Sequence, residues 1–292
     1  MYVILGAAGQ VGSAIVDHLL AKKLPVKALI HNPEKASEIK AKGTEVAVAD
    51  AMDLNSLIDA FQDGDTLFVL TPETGKSKDV LGETKSILEN YNQAIQQSSI
   101  KKIVGLSSIG AQHDKGTGNL LMSYMLEHAF KDINIPQIFV RPAYYYSNWL
   151  AQLPEIKKSG TLPTFYPADL AIPMISPMDV AAFVANVLIK DDESKIYEII
   201  GPEKLSSDDV AAAFARVLSK DVNAKQIARK DWDTVLQKIG FSPDARKNFI
   251  EMTETVVNGN TDPENNGTTL VRLKTGIYEY FEKALQEKEH TK

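Results

Sequence analysis

A glycine-rich turn near the N-terminus constrains the fold of this chain more than any other stretch. An apolar run from Tyr2 to Leu5 leads into Gly6-x-x-Gly9-x-x-Gly12, and apolar residues then recur at the spacing of one helix face. A buried strand that enters a helix through such a tight turn is typical of the first β-α unit of a doubly wound sheet. The opening stretch therefore predicts an α/β fold.

The three glycines also indicate a ligand. Gly6 lets the backbone leave the strand, Gly9 leaves room for a diphosphate against the backbone, and Gly12 lets the helix pack closely on the strand. The N–H groups at the helix start and the positive end of the helix dipole both favour phosphate there. Ala7 stands where the commoner Gly-x-Gly-x-x-Gly motif has its first glycine. An ordinary turn without a ligand is the alternative, but the β-α units that follow favour a dinucleotide.

Alternating strands and helices continue as far as residue 141. Short links between them imply right-handed crossovers and a parallel sheet. The predicted strands after the first are 25–30, 45–49, 66–70, 102–106 and 136–141, and the predicted helices after the first begin at Asn32-Pro33 and span 53–61, 77–97 and 120–131. The predicted fold class is α/β: a Rossmann-type, doubly wound parallel sheet with a smaller, mostly α-helical C-terminal part.

The pattern changes at Pro142, where prolines and aromatic residues become dense. We predict a dinucleotide-binding domain over 1–142 and a smaller, substrate-side part over 143–292, with 171–200 returning to the sheet. The elements predicted within the second part are a helix over 178–190, a strand over 195–200, a helix capped by Ser206 and ending at Leu218, a short strand over 224–228, and mostly helix thereafter, interrupted by a polar loop over 258–267. Residues 287–292 are predicted to fray.

Composition excludes several classes of protein. The formal net charge is −6 with no basic block, which argues against a direct nucleic-acid partner. The 292 residues include no cysteine, which removes disulfides, thiolate metal sites and a cysteine nucleophile and fits a reducing compartment such as the cytoplasm. We identify no signal peptide and no apolar run long enough for a membrane span, and the five histidines lack metal-ligand spacing. We expect a cytoplasmic protein without a membrane or metal partner.

The end of the second predicted strand bears on the choice of dinucleotide. NAD-binding chains usually carry an Asp or Glu there, which holds the ribose 2′-hydroxyl. This chain has Leu29-Ile30-His31-Asn32, with no acidic residue, so a 2′-phosphate would meet no repulsion. His31 and Lys35 could bind that phosphate, and Asn32 could donate a hydrogen bond. The pattern favours NADP(H) and leaves NAD(H) open. Alternatively, His31 is simply an exposed residue of the turn, and Lys35 lies on a solvated helix face without a ligand.

Polar residues also follow three other predicted strands, at the edge where open α/β sheets bind ligands. Asp50 could accept a hydrogen bond from an adenine amino group, or could simply cap the next helix. Thr71-Pro72 and Ser107 stand at the ends of the fourth and fifth strands. These positions are predicted to complete the cofactor site.

Several motifs together resemble one protein family. They are the glycine turn, Asn32-Pro33-Glu34-Lys35-Ala36 after the second strand, Asp50, Ser107-Ser108, Glu127 followed by Arg141-Pro142-x-x-Tyr145-x-x-Asn148, and Tyr197-Glu198-Ile199-Ile200-Gly201-Pro202. The chain is similar to the NmrA-like branch of the atypical short-chain dehydrogenases/reductases, close in character to bacterial NADPH-dependent quinone reductases and triphenylmethane-dye reductases. The resemblance covers nearly the whole chain and loosens after residue 205. The same branch includes NADP-binding regulators that are not known as enzymes.

The resemblance implies positions for both a cofactor and a substrate. It implies a substrate pocket around Tyr144, Tyr146 and Asn148, and the branch usually has an Arg where this chain has His31. Combined with the strand-end analysis, the predicted cofactor contacts are Gly6, Ala8, Gly9, Gln10, Val11, Gly12, His31, Asn32, Lys35, Asp50, Ala51, Thr71, Pro72 and Ser107.

The catalytic positions are where this chain departs from the family. Ordinary members use a Tyr and a Lys four residues apart on one helix face, and the Lys lowers the pKa of the Tyr. Counted from Glu127, these positions hold Asn119 and Ser123, so both residues are lost. Tyr124 and His128 could form a shifted pair, although a shift by one residue turns a helical side chain by about 100°. The alternative is that Tyr124 packs against its neighbours and His128 lies on the surface. The candidates left for catalysis are Tyr124, His128 and Ser107.

Two functions from different classes remain, beside a third and weaker one, an enzyme that uses Tyr124 or His128 on another carbonyl. Quinone reduction needs less from the protein than alcohol–carbonyl chemistry, because the cofactor supplies the hydride and the protein supplies stacking and orientation. Aromatic residues that could sandwich a flat acceptor, some of them as interface core, are Tyr144, Tyr145, Tyr146, Trp149, Phe165 and Tyr166. We therefore predict an NADPH-dependent reductase of quinones or similar flat small-molecule acceptors. The alternative is a non-catalytic NADP(H)-binding regulator, motivated by the lost Tyr and Lys; a protein partner or a homo-oligomer is left open.

Overall fold

The fold is organised by a parallel sheet. The computed structural model describes residues 1–191, 193–264 and 266–290. The strands are β1 (Tyr2–Ile4), β2 (Val26–Ile30), β3 (Glu45–Val48), β4 (Thr66–Leu70), β5 (Lys102–Leu106), β6 (Gln137–Pro142), β7 (Tyr144–Tyr145), β8 (Thr161–Thr164), β9 (Ile172–Ile175), β10 (Lys195–Ile200), β11 (Lys204–Leu205), β12 (Asn223–Gln226) and β13 (Thr269–Arg272). One eight-stranded sheet has the order β13-β10-β6-β5-β4-β1-β2-β3, and each neighbouring pair in it is parallel.

Helices cover both faces of that sheet. They are α1 (Gln10–Ala21), α2 (Ala36–Lys40), α3 (Leu54–Phe61), α4 (Val80–Gln96), α5 (Leu120–His128), α6 (Leu153–Ser159), α7 (Pro177–Ile189), α8 (Ser207–Leu218), α9 (Trp232–Lys238), α10 (Pro243–Val257) and α11 (Ile277–His290). On one face, α1 and α7 contribute Ile15 and Val184 to a buried core. On the other face, α3, α4 and α5 contribute Phe61, Leu88 and Leu126 to a second core. The parallel order with helices on both faces confirms the predicted doubly wound α/β fold.

Local signals for the ends of helices and strands match the structure closely. The strands β4, β5 and β10 have the predicted bounds, and the Asp53 side chain caps α3 by accepting a hydrogen bond from the N–H of Asn55. The helix predicted over 77–97 begins later, at Val80, because Asp79 is the residue that caps it. The other predicted bounds differ from the observed ones by no more than a few residues.

The C-terminal part is richer in helix than in strand, as predicted, but it also contains strands that the sequence did not predict. β7, β9 and β11 form a small sheet, β13 joins the main sheet beside β10, and the unpredicted strand β8 pairs with β12, which was predicted. β13 reads Thr269-Leu270-Val271-Arg272, so this edge strand lacks the alternating apolar pattern of a half-buried strand. Within 171–200, α7 and β10 build on the main sheet, whereas β9 lies in the small sheet. The proposed boundary at residue 142 therefore separates two stretches of sequence that share one sheet.

The C-terminal part also has a core of its own. Phe214 of α8 and Phe281 of α11 stack there with ring centroids 4.1 Å apart. The short strand predicted over 224–228 is β12, which pairs with β8. The predicted fraying of 287–292 falls outside the residues whose side chains are described. Over the described ranges, no helix has both the length and the apolar character needed to cross a membrane.

Candidate functional site

Among the clefts formed by the described residues, two lie where strands β1 to β6 of the main sheet end. The larger cleft, of about 430 Å³, is lined by Leu5, Gly6, Leu29, Ile30, His31, Ala49, Asp50, Ala51, Met52, Leu57, Leu70, Pro72, Glu73, Thr74, Ser77, Val80, Glu83, Thr84, Ile87, Tyr91 and Met122. The smaller cleft, of about 250 Å³, is lined by Ser107, Ser108, Ile109, Leu120, Pro142, Ala143, Tyr144, Tyr145, Asn148, Tyr166, Ile172, Pro173, Met252, Val256 and Thr261.

The glycine turn borders the larger cleft at Gly6. This residue has a φ of +64°, a left-handed conformation that residues with a side chain rarely adopt. A Cβ on Gly12 would lie 2.2 Å from the carbonyl oxygen of Gly6, so only glycine lets α1 approach the turn this closely. A Cβ on Gly9 would lie 3.2 Å from the same oxygen and would partly fill the space above the turn. The backbone therefore requires glycine most strongly at positions 6 and 12.

The start of α1 is suited to an anion. Its N-cap, Gly9, has no side chain, and in the described part of the chain no side chain caps the first turn. The side-chain amide of Gln10 donates to the hydroxyl of Tyr280 in α11, at 3.1 Å, and Val11 is buried. What the first turn presents is therefore its backbone N–H groups and the positive end of the helix dipole. Both fit a diphosphate.

Several of the predicted cofactor residues meet in the larger cleft. Besides Gly6, the predicted residues that line it are His31, Asp50, Ala51 and Pro72. Asp50 is not the cap of α3, which is Asp53; instead it accepts a hydrogen bond from the N–H of Met52 at 2.9 Å. Its carboxylate keeps further acceptor capacity at the edge of the cleft. Thr71 is not among the lining residues, although both of its neighbours are.

The turn after β2 engages two predicted residues in local contacts. Asn32 accepts a hydrogen bond from the N–H of Glu34, at 3.0 Å, and donates one to its carboxylate, at 3.3 Å. Lys35 forms an ion pair with Glu38 at 3.2 Å, in which both side chains are more than half exposed. Exposed pairs of this kind contribute little, so Lys35 can exchange Glu38 for a 2′-phosphate at small cost. Exposed His31 is the predicted phosphate contact that lies in the cleft itself.

Polar side chains from two segments meet in the smaller cleft. Ser107 follows β5, while Tyr144 and Asn148 follow β6. The Tyr144 hydroxyl interacts with the side chains of Asn148 and Tyr166, and burial raises the pKa of Tyr144 to about 12. The phenol therefore stays protonated at neutral pH and can donate a hydrogen bond to a bound molecule. Among the described residues, the lining of this cleft includes no charged side chain.

Ser107 is held by a buried ion pair. Its hydroxyl donates to Oε1 of Glu127 at 2.5 Å, and Arg141 donates to both carboxylate oxygens of Glu127, at 2.8 and 2.7 Å. The side chains of Arg141 and Glu127 are 4% and 3% exposed. Burial alone would lower the pKa of Arg141, but the hydrogen bond and the charge of Glu127, with those of its acidic neighbours, raise it above its ordinary value. Because the Ser107 proton is directed at Glu127, this oxygen presents its lone pairs to the cleft.

Tyr146 does not lie in the smaller cleft, contrary to the prediction. It is fully buried in the C-terminal core, with its ring centroid 5.8 Å from that of Tyr280. In a continuous strand, Tyr144 and Tyr146 would share a face. The strand β7 ends at Tyr145, however, and a 3-10 turn over Tyr146–Gln152 rotates the third tyrosine into the core.

Tyr124 and His128 lie away from both clefts, so the structure does not bring the shifted pair to the site. They line an outer groove between α4 and α5, with ring centroids 4.1 Å apart, and Nδ1 of His128 lies 2.7 Å from the carbonyl oxygen of Tyr124. On α5, the buried residues are Leu120, Met122 and Leu126. The helical period therefore directs Tyr124 and His128 outward. Of the three catalytic candidates, only Ser107 lines one of the two clefts.

Sequence reasoning missed residues that reach the clefts from distant parts of the chain. Met252 and Val256 of α10, with Thr261 after it, line the smaller cleft. Tyr91 of α4 and Met122 of α5 line the larger one. The spacing of Met252 and Val256 marks an apolar helix face, but periodicity does not tell what such a face covers.

Together, an open parallel sheet, a glycine turn, an anion-accepting helix start and clefts at the carboxyl ends of the strands are the features of a Rossmann-type dinucleotide-binding protein. The sequence profile of the NmrA-like family matches residues 2–284, and the chain belongs to that family. The predicted family is confirmed.

Relatives of known activity or structure extend over most of the chain. NAD(P)H azoreductase from Xenophilus azovorans is 26% identical over 76% of this chain and 75% of its own. Quinone oxidoreductase 2 from Escherichia coli strain K12 is 26% identical over 86% of this chain and 85% of its own. Two solved structures agree with the fold of nearly the whole chain.

The first is NADPH-dependent quinone oxidoreductase from Escherichia coli, complexed with NADPH. It is 24% identical, covers 98% of this chain and 100% of its own, and has a TM-score of 0.79. The second is Citrobacter sp. triphenylmethane reductase, complexed with NADP(H). It is 21% identical, covers 97% of this chain and 99% of its own, and has a TM-score of 0.80.

Proposed function

We propose that this protein is an NADPH-dependent reductase of quinones or similar flat, neutral acceptors. The observation that carries the proposal is the pairing of two unlike clefts on one sheet edge. The larger cleft includes Gly6 of the glycine turn, and this turn leads into a helix start suited to a diphosphate. The smaller cleft is apolar, with uncharged polar groups such as Ser107 and Tyr144. The names of the relatives, which include azo and quinone reductases, support the same reaction class.

The glycine turn and the larger cleft fit NADP(H). The cofactor, when bound, supplies the hydride that reduces the acceptor. The N–H groups at the start of α1 would hold the diphosphate, and Asp50 would accept a hydrogen bond from the adenine. His31 and Lys35 would bind the 2′-phosphate, which no acidic residue at the end of β2 repels. NAD(H) remains the alternative cofactor, because the side chains of His31 and Lys35 are both exposed and the fold does not hold them in one position.

The residues of the smaller cleft would bind and polarise the acceptor. Aromatic rings such as Tyr145 and Tyr166 offer flat apolar surfaces that exclude water and favour a conjugated ring. The hydroxyl of Tyr144 would donate a hydrogen bond to the acceptor oxygen or nitrogen, where negative charge develops as the hydride arrives. A neutral acceptor is favoured, since the described residues of the lining include no cation that would pair with an anionic group.

Purified protein, NADPH and a panel of acceptors test this function. The panel contains menadione, benzoquinone, a neutral azo dye and a sulfonated azo dye. We expect loss of NADPH absorbance with the quinones and the neutral dye, and a slower reaction with the sulfonated dye. No oxidation above the blank with any acceptor would reject the reductase.

A non-catalytic regulator is the second candidate, and one observation favours it. Asn119 and Ser123 stand where ordinary members have the Tyr and Lys of catalysis. This function predicts that NADP⁺ and NADPH bind with different affinities, that no acceptor is reduced, and that a partner protein responds to the difference. Equal binding of the two forms in calorimetry, with no partner, would remove its basis.

A further inference from the structure

The buried ion pair behind Ser107 extends to a distant segment of the chain. Nη1 of Arg141 lies 2.9 Å from Oε2 of Glu264 and 3.6 Å from Oε1 of Glu198. Glu198 in turn accepts hydrogen bonds from the N–H of Glu264, at 2.9 and 3.0 Å, and from the hydroxyl of Thr268, at 2.8 Å. One guanidinium thus connects β6, β10 and α5 with the segment that follows α10. We call Arg141 and its three carboxylates, from Glu127, Glu198 and Glu264, the Arg141 cluster.

Residues 260–264 connect this cluster with the smaller cleft. Thr261 is buried and lines the cleft. It packs against Gly110, where a Cβ would lie 3.1 Å from the Thr261 methyl group. The carbonyl oxygen of Asn260 lies 2.9 Å from Nε2 of His113, in the loop before α5. The segment therefore contacts the cleft at Thr261 and the Arg141 cluster at Glu264.

The carboxylates of the cluster differ in burial. The Glu127 and Glu198 side chains are 3% and 0% exposed, whereas that of Glu264 is 36% exposed. Removing Arg141 would leave two buried carboxylates without their cation, which damages the fold as a whole. Removing the charge of Glu264 leaves Arg141 paired with the two buried carboxylates. Glu264 is therefore the member whose loss acts on the segment rather than on the core.

We propose that Glu264 is a positioning residue for the acceptor. By pairing with Arg141, it holds Thr261 against the smaller cleft. The same guanidinium orients Ser107 through Glu127. One arginine therefore positions two residues of the lining, Ser107 and Thr261. The inference rests on the proposed function, because it assigns the acceptor to this cleft.

Steady-state kinetics of Glu264→Ala in the full chain, with menadione as acceptor, test the proposal. We expect KM for menadione to rise roughly fivefold, kcat to change less, and Kd for NADPH to stay within about twofold. Glu264→Gln keeps an oxygen that Arg141 can reach and should restore part of the affinity. Asp262→Asn is the matched control, because it breaks only the exposed ion pair of Asp262 with Lys204, at 2.7 Å, in the same segment.

Amide hydrogen exchange of residues 258–264 gives a second measurement that needs no turnover. We expect faster exchange there in Glu264→Ala than in the wild type, and no change in Asp262→Asn. The inference is overturned if Glu264→Ala matches Asp262→Asn in both KM and exchange. If the wild type reduces no acceptor, the proposed function fails. In that case, faster exchange together with weaker menadione binding in Glu264→Ala still supports the inference. Unchanged exchange in Glu264→Ala overturns it.

Discussion

The larger and the smaller cleft lie at the same edge of the sheet but are lined in different ways. The larger cleft takes most of its lining from the ends of β1 to β4 and from α4, and it includes the charged side chains of Asp50, Glu73 and Glu83. The smaller cleft joins the ends of β5 and β6 to β9, α10 and Thr261, and the lining residues that the structure describes are uncharged. The first arrangement suits a charged ligand held by backbone geometry, and the second suits a neutral one held by packing.

This difference predicts that substitutions divide into two groups. Changes around the larger cleft should alter the binding of NADPH, while changes around the smaller cleft should alter the use of the acceptor. A change around the larger cleft that altered only the use of the acceptor, or a change around the smaller cleft that altered only NADPH binding, would contradict these roles of the two clefts.

The largest effect is expected for Gly12→Val. A Cβ at position 12 would lie 2.2 Å from the carbonyl oxygen of Gly6. The valine side chain would therefore clash with the backbone of the glycine turn. We expect destabilisation on the order of 3 kcal/mol and loss of NADPH binding. Thermal unfolding and NADPH titration measure the two effects.

Gly9→Ala separates the two effects of the glycine turn. Its Cβ would lie 3.2 Å from the same oxygen, so the fold should persist while the methyl group occupies space that the diphosphate needs. NADPH binding is expected to weaken roughly tenfold with little change in Tm. Wild-type affinity in Gly9→Ala would contradict the placement of the diphosphate.

Tyr144→Phe should give the next largest effect, and on the acceptor side only. Loss of the hydrogen-bond donor is expected to lower kcat/KM for menadione by roughly tenfold to a hundredfold, with Kd for NADPH unchanged. Because burial raises the pKa of Tyr144 to about 12, the donor is present at neutral pH and is lost only as pH rises toward that value. The pH profile of the wild type should therefore show no decline from this group near neutrality.

Tyr146→Phe is the control for that variant. Tyr146 is fully buried, and among the described groups its hydroxyl has no hydrogen-bond partner. We expect wild-type kinetics. A loss of acceptor turnover comparable to that of Tyr144→Phe would restore Tyr146 to the acceptor pocket.

A smaller effect is expected for the double variant His31→Ala, Lys35→Ala. Removing both candidate phosphate contacts should reduce the preference for NADPH over NADH by about tenfold, since each exposed contact contributes little. The ratio of kcat/KM for the two cofactors measures it. Glu38→Ala frees Lys35 from its ion pair and should not weaken the binding of NADPH. An unchanged ratio in the double variant would show that residues other than His31 and Lys35 determine the preference for NADPH.

The smallest effect is expected for Tyr124→Phe and His128→Ala. Both residues line the outer groove between α4 and α5. Turnover of menadione and affinity for NADPH should stay within about twofold of the wild type, as for surface substitutions in general. A loss of activity beyond tenfold in Tyr124→Phe would revive the shifted catalytic pair.

Several features of this protein were determined by short stretches of sequence. The glycine turn, the Asp53 cap of α3 and the bounds of β4 and β5 follow from rules that act within a few neighbouring residues. Most of the cofactor positions that we predict rest on rules of this kind, because they lie in the glycine turn or just after the end of a strand. The parallel order of the sheet then brings those ends together at one edge.

Other features were decided only by the tertiary structure. Tyr144 lines a cleft and Tyr146 does not, because a 3-10 turn interrupts the alternation between them. The strand β13 depends on pairing with β10, and the ion pair of Arg141 with Glu264 joins the segment that carries Thr261 to strand β6. These arrangements join residues far apart in the chain, so their stability comes from packing and charge pairing that no local pattern encodes. Local sequence thus predicted the glycine turn and the strand ends where a nucleotide could bind. Tertiary contacts decided which side chains line the smaller cleft beside them.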